Sequence, residues 1–239
     1  PINEIICLGR FPQINIVTTN NPVQGLAVYQ GHWLFQLYHH GPCVVADLST
    51  GEFLGQYIMD GTELSHNNNA CWGVEFPDHK IDEDGPAFPY LYVSECGTKR
   101  RCYVQAVGIS GSRLVQEIFL ESESYNSWND WIVDAANGFL YAFGRPRGAS
   151  EYVIKKFALP KVNGGPSKVY LSDEDKIDEF TIGGMLTSQG SQIHDGYLFV
   201  TANLPIDETL PKQDIKVHVF ELASHRQVGV IDFSHCLFE

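Results

Sequence analysis

The sequence is poor in positive charge and has no long apolar run. Its 16 Lys and Arg stand against 29 Asp and Glu, which gives 239 residues a formal net charge of −13. Binding to a nucleic-acid backbone or to an anionic membrane surface needs a basic face, so both partners are disfavoured. No stretch approaches the roughly 20 apolar residues of a membrane-spanning helix. We therefore expect no nucleic-acid partner and no transmembrane segment in this chain.

Common catalytic and metal-binding motifs are also missing. The sequence contains no Walker loop, GxGxxG, GxSxG, HExxH or CxxC. His39 and His40 are adjacent at a predicted strand end, where side chains point to opposite faces, so we do not expect them to share a metal. The acidic runs 82–84 and 173–175 are interpreted as solvated loops. The sequence therefore assigns no catalytic residue.

The six cysteines leave two alternatives open. Cys96 and Cys102 flank a short turn and are the disulfide candidate, provided that they face each other across a hairpin. The other interpretation is that they are buried free thiols, because cysteine packs as a small hydrophobe.

A repeat of strand pairs organises the chain. Four segments each contain a half-buried strand, a connection and an aromatic-rich strand, and three of them turn tightly at a glycine. The second copy has a longer connection at 77–89, which we interpret as an exposed insertion. The copies begin at Gln24, Asn69, Asn129 and Gln189.

The second half of each unit repeats as well, with strand pairs that begin near Cys43, Cys102, Tyr152 and Lys216. A unit of four strands that recurs at this spacing is a propeller blade. We predict an all-β fold, a single β-propeller domain over 1–239. Its blades should span approximately 21–62, 66–122, 128–183 and 187–235.

Residues 1–20 hold two strand-like runs that match no inner strand. An N-terminal strand often closes the last blade of a propeller and hides its edge. Two arrangements follow from this extra strand. Either four blades carry an additional edge strand, or the ring has five blades and the fifth is incomplete after Glu239.

Several segments resemble a family of uncharacterised exported β-propeller proteins from gut bacteria, relatives of the TolB-like and six-bladed-like propellers. The matching segments are HNNNACWG, PYLYVSECGTKRRCYVQ, NDWIVDAANGFLYAFG, VIKKFALP and SQGSQIHDGYLFV. The resemblance covers nearly the whole chain. It implies a five-bladed ring and an exported protein of the periplasm or cell surface, with lipid anchoring before processing as an option. The family implies no catalytic residue.

Propeller ligands usually bind at one mouth of the central channel, where the innermost strands begin. Matching the four units places a carboxamide at that position in each. Such a ring could bind sugar hydroxyls, water or a cation, because an amide offers a donor and an acceptor. It could equally tie neighbouring blades together through backbone groups. The ring consists of Gln24, Asn69, Asn129 and Gln189.

Four further residues are candidates for the same mouth: His66, Trp128, Asp130 and Trp131. Trp128 and Trp131 could stack on a sugar or a base, or they could pack between blades. Both alternatives stay open at the level of the sequence.

The pattern favours a ligand- or partner-binding module that holds a small molecule, a glycan or a protein at the mouth. One alternative is a hydrolase with a divalent cation there. Ca²⁺ is the candidate cofactor, with oxygens from Asn69, Asn129, Asp130 and Glu239. A glycosidase is disfavoured because the ring lacks a carboxylate pair. The other alternative is a scaffold whose rims bind proteins.

Overall fold

A computed structural model describes most of the chain, and all structural statements below concern those residues. Within them lie seventeen β-strands and no helix, so no helix there could span a membrane. The described residues are 23–61, 66–95, 100–122, 129–146, 149, 151–183, 187–203 and 215–232.

The first and the fourth sheets are simple antiparallel meanders, because each strand pairs with the next one along the chain. Blade I has the order β1-β2-β3-β4, and blade IV has the order β14-β15-β16-β17. The strands of blade I are Val23–Tyr29, Trp33–Tyr38, Pro42–Asp47 and Glu52–Ile58; those of blade IV are Thr187–His194, Tyr197–Asn203, Ile215–Glu221 and Arg226–Asp232.

One strand from the blade III segment of the chain joins the sheet of blade II. Blade II is formed by β5 to β8, and blade III by β9, β10, β11 and β13. The connection between β11 and β13 contributes β12, which leaves blade III and pairs in parallel with β8 at the outer edge of blade II. The strands are β5 Asn67–Trp72, β6 Leu91–Glu95, β7 Arg101–Val107, β8 Ser112–Glu121, β9 Asn129–Asp134, β10 Phe139–Gly144, β11 Tyr152–Ala158, β12 Lys168–Ser172 and β13 Asp178–Ile182.

The four sheets form a β-propeller, as the sequence predicted. The first strand of each blade lies innermost: β5 contacts both β1 and β9, and β14 contacts both β9 and β5. Three apolar cores fill the spaces between consecutive blades. Successive side chains of a strand point to opposite faces of its sheet, so one strand contributes to two cores. Ala70 packs between blades I and II, whereas the next residue, Cys71, packs between blades II and III.

The predicted glycine turns are present. Gly31 and Gly196 have φ of +77° and +79°, and the residues before them, Gln30 and Asp195, also have positive φ. A left-handed pair of this kind matches the twist of the flanking strands, so it suits a tight hairpin.

The insertion after β5 is more firmly attached than the sequence suggested. Most of residues 77–87 are exposed or partly exposed, but Phe88 is 1% exposed. Its ring packs edge-on against Tyr29, Trp33 and Phe35 and is stacked with Trp72. The insertion therefore anchors blade II to blade I.

For Cys102, the structure agrees with the second cysteine alternative, a buried free thiol. The residue is fully buried and stands opposite Ser94 in the register of β6 and β7. Burial raises its pKa well above the ordinary value. Cys96, the candidate disulfide partner, lies outside the described residues, as do residues 1–22 and 233–239 on which the closing strand and the fifth blade depend.

Candidate functional site

The mouth end of the propeller, where β1, β5, β9 and β14 begin, carries a repeated β-bulge. The pairing register shifts at Gln24 in β1, at Asn68 in β5 and at Gln189 in β14. A bulge inserts one residue into a strand and re-aims the side chains around it. The bulge also adds one residue to the strand, and matching the four units by sequence does not reveal this extra residue.

The carboxamide ring must therefore be corrected by one residue in blade II. Ala27, Cys71 and Ile132 each face the core shared with the following blade. The residues three positions before them are Gln24, Asn68 and Asn129. Asn68, and not Asn69, is thus the structural equivalent in blade II. The side chains of Asn129 and Gln189 lie outside what the structure describes.

Asn69 joins three blades through its side chain. Its Nδ2 donates to the carbonyl oxygen of Trp131 in blade III at 3.2 Å, and its Oδ1 accepts from the backbone N–H of Ser191 in blade IV at 3.4 Å. The residue is 6% exposed. Both ends of the amide are occupied by backbone groups, which is the structural alternative considered for the ring.

Trp131 is likewise a packing residue. Its side chain is fully buried in the core between blades II and III. Its backbone N–H donates to the Ser94 hydroxyl at 2.7 Å, which adds a bond between the two blades. A buried indole offers no face to a ligand. Trp128, the other predicted stacking residue, lies outside the described residues.

Asp130 is a buried carboxylic acid at the mouth end. It is 3% exposed, and its Oδ1 accepts a hydrogen bond from Asn68 Nδ2 at 2.9 Å. Loss of hydration raises its pKa to about 6, although the bond from Asn68 acts in the opposite direction. A carboxyl group that titrates near neutrality in such a position marks a candidate functional residue.

Three imidazoles, His39, His40 and His66, meet beside Gln24 and form what we call the histidine cluster. The ring centroids of His39 and His40 are 3.9 Å apart, and those of His39 and His66 are 4.7 Å apart. His66 Nε2 is in hydrogen-bond contact with Gln24 Oε1. Since an amide oxygen only accepts, Nε2 is the donor in this pair.

The expectation that His39 and His40 point to opposite faces of a strand is wrong. Both lie in the turn between β2 and β3, and His40 has a φ of +66°. This left-handed conformation breaks the alternation of a strand, so the two rings meet. The Gly41-Pro42 pair that follows was the sequence signal for a turn at this point. The pairing of Tyr38 with Val23 places that turn next to Gln24.

Two rings of the histidine cluster, His39 and His66, are held towards the neutral form. Partial burial and the two neighbouring imidazoles lower the pKa of His66, and partial burial and His40 lower that of His39. Neutral imidazoles and amides provide hydrogen-bond donors and acceptors without net charge.

Of the four predicted calcium ligands, only Asn69 and Asp130 have described side chains, so the calcium site stays a prediction. The side-chain oxygen of Asn69 accepts a backbone N–H from Ser191. The side chain of Asn129 and the whole of Glu239 lie outside the described residues. Within the described part of the chain, no group of three or more His, Cys, Asp or Glu side chains is placed to hold a metal ion.

No protein-family model and no curated protein matches the sequence. Among solved structures, BamB from Moraxella catarrhalis is 10% identical with a TM-score of 0.38, over 89% of this chain and 54% of that chain. Glutaminyl cyclase from Myxococcus xanthus is 14% identical with a TM-score of 0.48, over 89% and 71%. The β-propeller domain of Cps50 (Swd1) from Myceliophteria thermophila is 12% identical with a TM-score of 0.39, over 76% and 48%.

The chain thus spans about half of the BamB and Cps50 chains and 71% of the cyclase. At these scores and identities the similarities carry no inference about activity. The assignment of the propeller fold rests on the sheet topology and the interblade cores of this chain.

Proposed function

We propose that this propeller is a binding module that holds an uncharged, hydroxyl-rich ligand, such as a glycan, at the mouth end. The observation that carries the proposal is the contact of the histidine cluster with Gln24. It gathers neutral donors and acceptors from three segments of the chain at one place.

The exposure of these residues supports a binding role. Gln24, His39 and His66 are partly buried, and His40 is exposed. Partial burial holds polar groups in fixed positions while leaving them accessible to a ligand. In ligand pockets, a small number of convergent polar groups of this kind fixes the orientation of the bound molecule.

Ligand binding accounts for the mouth better than hydrolysis. A glycosidase needs two carboxyl groups that flank the scissile bond. Two described carboxylates near this end, Asp130 and Glu95, are only 3% and 7% exposed. Asp130 is bonded to Asn68, and Glu95 Oε2 lies 3.5 Å from Arg101 Nε. Both are engaged within the protein.

A glycan array followed by calorimetric titration tests the proposal. We expect the wild-type chain to bind at least one class of neutral oligosaccharide. Because His66 and Gln24 form the contact that defines the site, His66→Ala and Gln24→Ala should each weaken binding roughly tenfold or more, a loss of about 1.4 kcal/mol.

The matched control is His79→Ala, which removes an exposed histidine from the insertion. Its affinity should equal that of the wild type. Absence of binding to every oligosaccharide on the array, together with no thermal stabilisation by small polar metabolites, would refute the binding proposal.

Export and a fifth blade belong to the same proposal. They are supported by the resemblance of several blade segments to exported propellers and by the two strand-like runs in residues 1–20. Fractionation of cells that express the natural full-length protein tests the first, since recovery in the cytosolic fraction contradicts export.

A further inference from the structure

The histidine cluster links two segments of the chain, the β2–β3 turn and the start of β5. His39 and His40 belong to the turn between β2 and β3, and His66 immediately precedes β5. Asn67 Nδ2 also reaches the carbonyl oxygen of Tyr38, but at a long 3.4 Å. The ring contact of His39 with His66 therefore joins this turn to the start of β5.

His66 also connects the start of β5 to β1, through its contact with Gln24. Two pairings thus depend on one imidazole: the contact with Gln24 at its Nε2, and the ring contact with His39 at 4.7 Å. A change in the charge of this ring is felt by three segments at once.

The charged and titratable groups around the cluster come from each neighbouring strand. Tyr38 lies on β2. Burial raises the pKa of its phenol, and Cys43 on β3 raises it further. Glu95 on β6 is paired with Arg101 on β7 at 3.5 Å, and Asp130 on β9 is bonded to Asn68. Among these neighbours, His39 and His40 lower the pKa of His66, because both disfavour its positive charge.

We propose that the histidine cluster is a proton-operated latch on the mouth, so that a second protonation within it separates the β2–β3 turn from the start of β5 and releases the bound ligand. This inference rests on the proposed binding function and names its regulation. The geometry that carries it is the placement of His39 between two other imidazoles, with ring centroids 3.9 Å from His40 and 4.7 Å from His66.

The physical reason is the repulsion of like charges at short range. One imidazolium beside two neutral rings keeps its ring contacts. Two imidazolium rings at these distances repel each other, and the repulsion is larger in a partly buried site than in water. His40 holds a left-handed conformation that costs a residue with a Cβ some free energy, and a rearranged turn with negative φ at His40 would recover it.

A ligand-free measurement tests the latch independently of the binding proposal. The imidazole resonances of the wild-type protein are titrated by NMR between pH 8 and pH 4.5. We expect His39 and His66 to titrate below the ordinary range of histidine, in a broadened curve that reports coupling. In His39→Gln, which removes the central ring, the midpoint of His66 should move upwards, whereas His79→Gln should leave it unchanged. Independent, ordinary titration of all three rings would overturn the latch.

The second arm measures affinity at two pH values. The neutral oligosaccharide with the strongest array response is titrated at pH 7.5 and pH 5.0. We expect roughly tenfold weaker binding at pH 5.0 for the wild type, within the usual range of coupling between sites. In His39→Gln the ratio between the two pH values should approach one, whatever its absolute affinity.

Asp130 titrates in the same range, so Asp130→Asn is the necessary second variant. It should keep the pH dependence of binding that His39→Gln loses. The reverse result assigns the switch to Asp130 and overturns the latch. Equal affinity of the wild type at both pH values also overturns it while leaving the binding function standing. Absence of binding at either pH refutes the binding function, and the NMR titration still decides whether the cluster is coupled.

Discussion

The two ends of the blades use their carboxylates differently. At the far end, where the inner strands finish, carboxylates accept hydrogen bonds from backbone N–H groups of other segments. At the mouth, a buried carboxylate accepts from a side chain. Glu75 accepts the N–H groups of Val162 and Asn163 at 2.7 and 2.9 Å, one on each oxygen. Asp82 accepts the N–H of Ile109 at 2.5 Å. Asp130 at the mouth accepts from the Asn68 side chain instead.

The difference lies in what each carboxylate satisfies. Turns leave backbone N–H groups without a strand partner, and an ionised carboxylate is a strong acceptor for them. Glu75 therefore fastens the β5–β6 connection of blade II to the β11–β12 connection of blade III, whereas Asp82 fastens it to the β7–β8 turn within blade II. The mouth end has instead kept titratable side chains that contact each other across blades. We conclude that the far end carries stability and the mouth end carries the candidate function.

The largest effect that could break this contrast is the loss of Phe88. Phe88→Ala removes a fully buried ring that contacts Tyr29, Trp33, Phe35 and Trp72. We expect a loss of about 3–5 kcal/mol in the free energy of unfolding, as for other buried aromatic truncations. Urea denaturation followed by tryptophan fluorescence measures it. Phe76→Ala, which removes a half-exposed ring from the same β5–β6 connection, should cost much less, and equal losses would show that the insertion is not an anchor.

The next effect concerns Asp130 and fades as the pH falls. Burial raises its pKa to about 6 from an unfolded value near 3.8, so the folded state binds this proton more tightly than the unfolded state does. Its contribution to stability therefore grows as the pH falls from above 6 towards 3.8. Asp130→Asn keeps an acceptor for Asn68 but removes the charge. The variant should be more stable than the wild type at pH 7.5, by up to about 3 kcal/mol, and should lose this advantage by pH 4. A stability difference that stays constant over this range contradicts the assignment.

A smaller loss is expected at Glu75. In Glu75→Gln, the amide oxygen still accepts one of the two N–H groups, but the amide NH₂ faces the other donor. We expect a loss of about 1.5–3 kcal/mol, the usual range for a hydrogen bond to a charged group. Thermal or urea unfolding measures it, with the exposed Glu83→Gln as the control. A loss no greater than that of the control would mean that the far end is not fastened by Glu75.

The smallest change in stability should come from the mouth itself. His66→Ala removes a half-buried ring outside the apolar cores, and we expect a change below about 1 kcal/mol at pH 7.5. Together with the expected loss of oligosaccharide binding, this result would sharpen the contrast between the two ends. A loss as large as that of Phe88→Ala would instead make the mouth a structural element.

The repeat was predictable because its signals are local. Strand alternation and glycine turns need only a few neighbouring residues, and Gly31 and Gly196 do take the left-handed conformation that their hairpins need. The same reasoning failed where local rules were broken. The bulge at Asn68 displaced the comparison of blade II by one residue, and the left-handed φ of His40 brought together two rings that strand geometry separates.

The sequence by itself determined the all-β class and the repeat of four-stranded units, because side-chain alternation and turn residues act over short distances. The tertiary structure alone decided the partners of the polar groups. Asn69 finds Ser191 at a separation of 122 residues, and His66 finds Gln24 at a separation of 42. Such contacts depend on how the blades pack around the axis, and the strand pattern of one blade does not encode them.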